Sequence, residues 1–192
     1  MVVLVLGLVV FLGIHAVRIV ADEKRSAVIA RRGDGAWKGL YSLVSLVGLV
    51  LIIWGYGLTR QDPVVLWEPP VWTQHIAVTL NLLAFVLLAA YALPTGRIKA
   101  RLGHPMILGV KVWALAHLLA NGTLADLLLF GSFLVWAIAD FAASRRRDRR
   151  NGTLRIAGPM RNDAMALVAG AALWAAMVWR VHLWLIGVSP LA

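Results

Sequence analysis

The chain has 192 residues, of which 61% are hydrophobic and only 15% charged, and its mean hydropathy is +0.81. A water-soluble globule of this length needs far more charge to cover its surface, so that class is excluded. With no cysteine in the chain, disulfides, thiolate metal sites, iron–sulfur clusters and a cysteine nucleophile are excluded as well. Histidine is left as the main soft ligand, with five methionines as a weaker thioether reserve.

The apolar residues fall in long runs, and ~20 such residues in a helix cross the ~30 Å of bilayer hydrocarbon. The chain therefore reads as an all-α integral membrane bundle of about six spans. The first covers Met1 to about Val20 and lacks the basic start of a signal peptide, so a retained helix is expected. A hydrophilic loop follows, within which 27–32 is expected to form a short interfacial helix. The second span runs from about Trp37 to Leu58 and ends in ArgGlnAspPro at 60–63. Trp67 and Trp72, around GluProPro at 68–70, mark a membrane–water interface. The third span covers about Val71 to Leu93. The fourth is the shortest, about His104 to Ala120, with Pro105 in its first turn, where proline costs no helical hydrogen bond. AsnGlyThr at 121–123 turns the chain into a fifth span, about Leu124 to Ala143. A very basic loop, Ser144 to Arg161, leads to the sixth, about Ala164 to Val188.

The net charge of +10 raises the question of nucleic acid, and the placement of the charge answers it. The loops at 21–38, 94–103 and 144–161 carry 15 of the 19 lysines and arginines, whereas the two alternate loops carry only Arg60. Cytoplasmic loops of membrane proteins hold the excess of basic residues. Both termini are therefore expected on the outer, periplasmic side, and the basic pI needs no nucleic acid. The basic loops also suit anionic lipid headgroups.

Polar residues inside a membrane are costly and should face the bundle interior or a cavity. By depth they form two groups. His15, Arg18, His104, Lys111 and Asp140 lie toward the cytoplasmic side, and His75, Asn81, His117, Asp126, Arg180 and His182 toward the outer side. His104 and His117 are ~20 Å apart along one helix and cannot serve one small site. Ion pairing that lets a charged bundle close accounts for Arg18, Lys111 and Asp140, and for Asp126 with Arg180 or His182. Two histidines at similar depth on different helices also suit axial ligation of a haem, with Arg18, Arg97, Lys99, Arg101 and Lys111 placed to neutralise its propionates.

The segments GlyIleHisAlaValArgIle at 13–19, GlyLeuTyrSerLeuValSer at 39–45 and GlyHisProMetIleLeuGlyValLysValTrpAlaLeuAlaHisLeuLeuAlaAsnGly at 103–122 resemble the NnrU family over nearly the whole chain, as a single domain spanning 1–192. The resemblance implies a bacterial inner-membrane protein associated with denitrification, that is, with nitrite and nitric oxide reduction. The same pattern is similar to the plastid 15-cis-zeta-carotene isomerase, a membrane haem-b enzyme, and this likeness implies His15 and His104 as axial ligands of haem b. That enzyme has a cysteine near its HisPro motif, where this chain reads ArgLeuGly at 101–103, so thiolate exchange at the iron is excluded here.

Three function classes follow. The first is a haem-b protein whose iron handles electrons or a small ligand such as nitric oxide, working with denitrification enzymes or another redox partner. The second is a non-enzymatic scaffold, assembly factor, or proton or small-molecule passage through the two polar groups. The third, a membrane methyltransferase of the isoprenylcysteine type, lacks its catalytic end, because no glutamate follows Glu68. A copper or non-haem iron site is weaker still, with two histidines and one carboxylate beside two cations. Gly131 and Ser132, and Gly170 to Ala172, offer close helix packing, and the sequence leaves the oligomeric state open.

Overall fold

A computed structural model describes residues 1–191. Among the described residues nine α-helices follow in order: α1 Val2–Val20, α2 Asp22–Arg32, α3 Asp34–Thr59, α4 Val71–Ala92, α5 Arg97–Leu102, α6 Pro105–Ala120, α7 Leu124–Arg150, α8 Met160–Ala176 and α9 His182–Ile186. A π-helical turn, Met177–Val181, joins α8 to α9 without a break. Among the described residues the only β pairing is an isolated bridge between Val65 and Thr123.

Among the described residues five helices are long and apolar enough to cross a membrane: α1, α3, α4, α7 and the continuous Met160–Ile186 rod. At 16 residues α6 measures about 24 Å, short for a crossing, yet it runs between the same two faces of the bundle as the others. At one end His104 bonds to the end of α7. At the other, Gly122 accepts hydrogen bonds from Leu66 and Trp67 of the α3–α4 connection.

The helices pack as an open row, α3 on α1, α1 on α7, α7 on α6, α6 on α4 and α4 on α8. The seam between α1 and α3 is the tightest, because glycine removes the side chain wherever the backbones meet. A Cβ on Gly7 would lie 2.6 Å from the Ile52 nitrogen, and one on Gly48 2.7 Å from the Phe11 nitrogen, while Gly55 faces Leu4. Each contact is closer than real carbon contacts allow, so this antiparallel crossing admits no larger residue. Gly170 does the same for α8 against Val86 of α4. Gly131, expected at a close contact, meets nothing nearby. An apolar cluster of Leu4, Leu8, Ile52, Ala114, Ala125, Leu129 and Phe130 fills the space where α1, α3, α6 and α7 converge.

The element limits correct several sequence expectations. The short interfacial helix begins at Asp22 rather than 27; its acidic first turn and basic last turn both suit the helix dipole. The second span begins at Asp34. Most of the expected basic loop is helix, because α7 continues to Arg150. Alanine and arginine are strong helix formers, and cations stabilise a helix C-terminus, so leaving the hydrocarbon does not end the helix. Helix α5 lies inside the expected 94–103 loop, where Asp163 caps it by accepting from the Arg97 and Ile98 amides at 2.9 and 3.0 Å.

All three basic connections share one face. Arg147 donates to the Arg18 carbonyl at the α1–α2 corner, and Arg155 of the α7–α8 linker reaches His104 at the head of α6. On the opposite face, Leu124 donates to the Val64 carbonyl, and Arg60 donates to the Ile186 carbonyl at the end of α9. The Val2 end of α1 and the Ile186 end of α9 therefore lie on the face away from the basic connections.

Candidate functional site

His15 lies near the basic end of α1, where that helix forms the floor between α3 and α7. Its Nδ1 donates to the Phe11 carbonyl one turn back, at 2.6 Å, and so Nε2 carries the free lone pair. The ring stacks on Phe11 at 4.2 Å, with Tyr41 of α3 at 5.0 Å and the edge of Trp136 of α7 at 5.8 Å. The α1–α3 register follows from Leu4 opposite Gly55 and Phe11 opposite Gly48. It puts Ser45 level with His15. Two polar atoms on the helices around it, Ser45 Oγ and Trp136 Nε1, are buried without a hydrogen-bond partner.

His104 occupies a different setting. It caps the start of α6, where Pro105 follows it, and its Nε2 pairs with Asp148 Oδ2 at 2.8 Å. Arg155 Nη2 donates to the same oxygen at 2.7 Å and lies 3.3 Å from His104 Nε2. All three side chains are about one-fifth exposed. The result is a three-residue clamp binding α6, α7 and the α7–α8 linker. Phe141 sets its ring edge against His104 at 6.2 Å, and Lys111 places Nζ 4.5 Å from the same ring.

The five residues grouped by depth thus divide around α7. His15 meets that helix at Trp136, and His104 meets it at Phe141 and Asp148, positions at least five residues, roughly 8 Å, further along its axis. Asp140 pairs with Arg147 at 3.7 Å rather than with Arg18 or Lys111. Arg18 is exposed and contributes its carbonyl to Arg147. The neighbouring side chains that depth alone missed are Tyr41, Ser45 and Trp136 around His15, and Asp148 and Arg155 around His104. Tyr41 and Ser45 stand on one α3 stripe with Gly48, Ile52 and Gly55, so a helical repeat of small and polar residues was the available signal.

The other group is largely a structural network. Asp126 is 4% exposed, and its partners are Tyr56 and Thr123 rather than Arg180 or His182. Tyr56 Oη donates to Asp126 Oδ1 at 2.6 Å. The Thr123 hydroxyl and amide both donate to Oδ2, at 2.6 and 3.1 Å, and Asp126 N donates back to Thr123 Oγ1. That reciprocal arrangement is a capping box at the start of α7, and Thr-x-x-Asp was readable as one. His117 donates Nδ1 to the Trp113 carbonyl at 2.8 Å and stacks on Phe130 at 4.6 Å. Asn81 bonds its own helix at Ala77, and His182 Nδ1 donates to the Val188 carbonyl. His75 is exposed beside Ile76, Thr79 and Leu80, and Arg180 is exposed on the π turn. Among the described residues, no three His, Asp or Glu side chains group closely enough to hold a metal ion through those ligands alone.

Long apolar helices, one basic face and buried polar groups held between helices define a multi-pass α-helical membrane protein. The family model described as NnrU protein matches residues 3–190, and the chain belongs to the NnrU family. No curated protein and no solved structure matches it.

Proposed function

We propose that this protein binds haem b in the bacterial inner membrane and supports denitrification, by redox or small-ligand chemistry, with His15 as an axial ligand. The basic face lies in the cytoplasm, both ends of the chain face the periplasm, and α6 serves as a sixth crossing. The charge asymmetry between the two faces supports that orientation, and family membership supports the link to denitrification.

The observation that carries the haem reading is the state of His15. A carbonyl that accepts from Nδ1 fixes the tautomer, orients the ring and leaves Nε2 for a metal, as outer-shell partners of metal-binding histidines do. Phe11, Tyr41 and Trp136 supply the apolar, aromatic surroundings that a porphyrin needs. Arg18, three residues further along α1, and Lys111 of α6 would serve as counter-charges for its propionates. A bound haem supplies an iron that exchanges electrons or takes a diatomic ligand. His104, which the resemblance pairs with His15, is engaged by Asp148 and would hold haem only after leaving that clamp, so the reading rests on His15.

The test is a reduced-minus-oxidised absorption spectrum of protein purified from cells supplied with haem, compared with His15→Ala, His104→Ala and His117→Ala. The expected result is a b-type signal abolished by His15→Ala and unaffected by His117→Ala. Loss of the signal or its conversion to a five-coordinate spectrum in His104→Ala establishes His104 as a second ligand, and an unchanged spectrum establishes His15 alone. A colourless protein, or a spectrum that survives His15→Ala, overturns the proposal.

A further inference from the structure

Helix α8 ends the row and packs on α4 alone among the long helices. On its flank Ala164, Met165, Val168, Ala169 and Ala172 line a shallow groove of about 470 Å³, with Leu93, just past the end of α4, as the far wall. Three of these five α8 positions are alanine, which leaves the surface hollow. The groove begins at the basic face, where α4 ends and α8 starts. It follows α8 into the bilayer for roughly 12 Å.

Two cations stand at its basic end. Arg161 lies on the same stripe of α8, three and four residues before Ala164 and Met165 and seven before Val168. Its side chain is exposed, and among the described residues it pairs with no Asp or Glu. Asp163 lies about 200° further round the helix, where its oxygens accept from the Arg97 and Ile98 amides. On the α4 side, Lys99 Nζ donates to the carbonyls of Tyr91 and Leu93, at 2.6 and 3.2 Å. An ammonium has three protons, so one remains available beside the Leu93 wall.

An apolar groove within the membrane, with unpaired positive charge at its surface end, matches an amphiphile whose head is anionic. A small anion makes no use of the groove, and a neutral lipid makes none of the cations. We propose that the α8 flank holds an anionic phospholipid, its phosphate on Arg161 and Lys99 and one acyl chain along the groove. Charge-assisted bonds to the phosphate select the head, and contact along the alanine stripe selects the chain. The proposal requires neither haem nor any role for His15.

The test is native mass spectrometry of the full-length protein in detergent, titrated with phosphatidylglycerol or with phosphatidylcholine carrying the same acyl chains. The first phosphatidylglycerol is expected to bind about threefold to tenfold more tightly than the first phosphatidylcholine. Arg161→Gln removes that preference, and Arg161→Lys restores most of it. Lys99→Gln weakens it by a smaller factor, since two of the three Lys99 protons serve α4. Ala172→Phe fills the deep end of the groove from an exposed position and weakens both lipids. Arg146→Gln, exposed on α7 at the same face, changes neither. Equal affinity for the two lipids overturns the proposal, as does an Ala172→Phe protein that binds both as the wild type does. An Arg146→Gln effect as large as that of Arg161→Gln also overturns it, because attraction is then spread over the whole basic face. So does displacement of the lipid by an equal concentration of glycerol phosphate, which marks a site for the head without the chain. The absorption spectrum of the preceding section decides the haem reading separately, so either can fail without the other.

Discussion

The two halves of the bundle treat buried polar groups in opposite ways. Near the face away from the basic connections, Asp126 is nearly inaccessible, yet both its oxygens are filled by donors from Tyr56 and Thr123. Near the basic face, Ser45 Oγ and Trp136 Nε1 are buried without a hydrogen-bond partner. A polar group in a membrane protein is tolerated either because its own chain completes it or because a ligand does. The half around Asp126 meets the first condition and ties α3 to α7. The half around His15 leaves Ser45 Oγ and Trp136 Nε1 unpaired, and it is there that haem binding is proposed.

Mutations can break this contrast at its strongest point. Asp126→Ala removes the Tyr56 bond and one half of the α7 capping box together and leaves three donors unmatched. The expected loss is about 3 kcal/mol, from breaking charge-assisted bonds in a buried setting. It should register as a large fall in Tm of detergent-solubilised protein followed by circular dichroism. A melting curve within a degree or two of wild type would show that the network is not what joins α3 to α7.

The clamp at His104 should fall between the extremes. Arg155→Ala removes one partner of a pair that is about one-fifth exposed. A loss of about 1 kcal/mol is expected, because solvent screens such pairs. The loss should shrink as salt is raised, and a salt-independent effect would mean that Arg155 acts by packing over Gly103 instead. The smallest effect belongs to the surroundings of His15. Ser45→Ala deletes a donor that has no partner in the chain, so stability should change by no more than about 0.5 kcal/mol, in either direction. A large destabilisation would place Ser45 among the structural bonds and erase the difference between the halves.

Much of this architecture was legible before any coordinates. Runs of apolar residues located the spans to within a few residues, because the bilayer demands length and hydropathy and little else. The limits were misjudged where helix propensity continued past the hydrocarbon, at α7 beyond Ala143 and at α2 before 27. The site was legible in part. His15 and His104 stood out as costly residues at a shared depth, but Ser45 and Trp136 did not, since serine and tryptophan are ordinary in membrane helices. Asp126 was legible as buried, and its Thr123 cap was written in the local sequence, whereas its Tyr56 partner lies 70 residues away.

Composition, hydropathy and the spacing of basic residues thus determined a helical membrane protein with one basic face, and the matched segments its resemblance to the NnrU family. Those properties depend on what each segment is made of. Tertiary structure alone decided that His15 faces Trp136, that His104 is held by Asp148 and Arg155, and that Asp126 ignores Arg180. A residue's partners depend on the rotation of each helix, which turns by about 100° with every residue, and on which helix lies next to it. Depth fixes the level of a side chain along the membrane normal, and only packing fixes the direction in which it points.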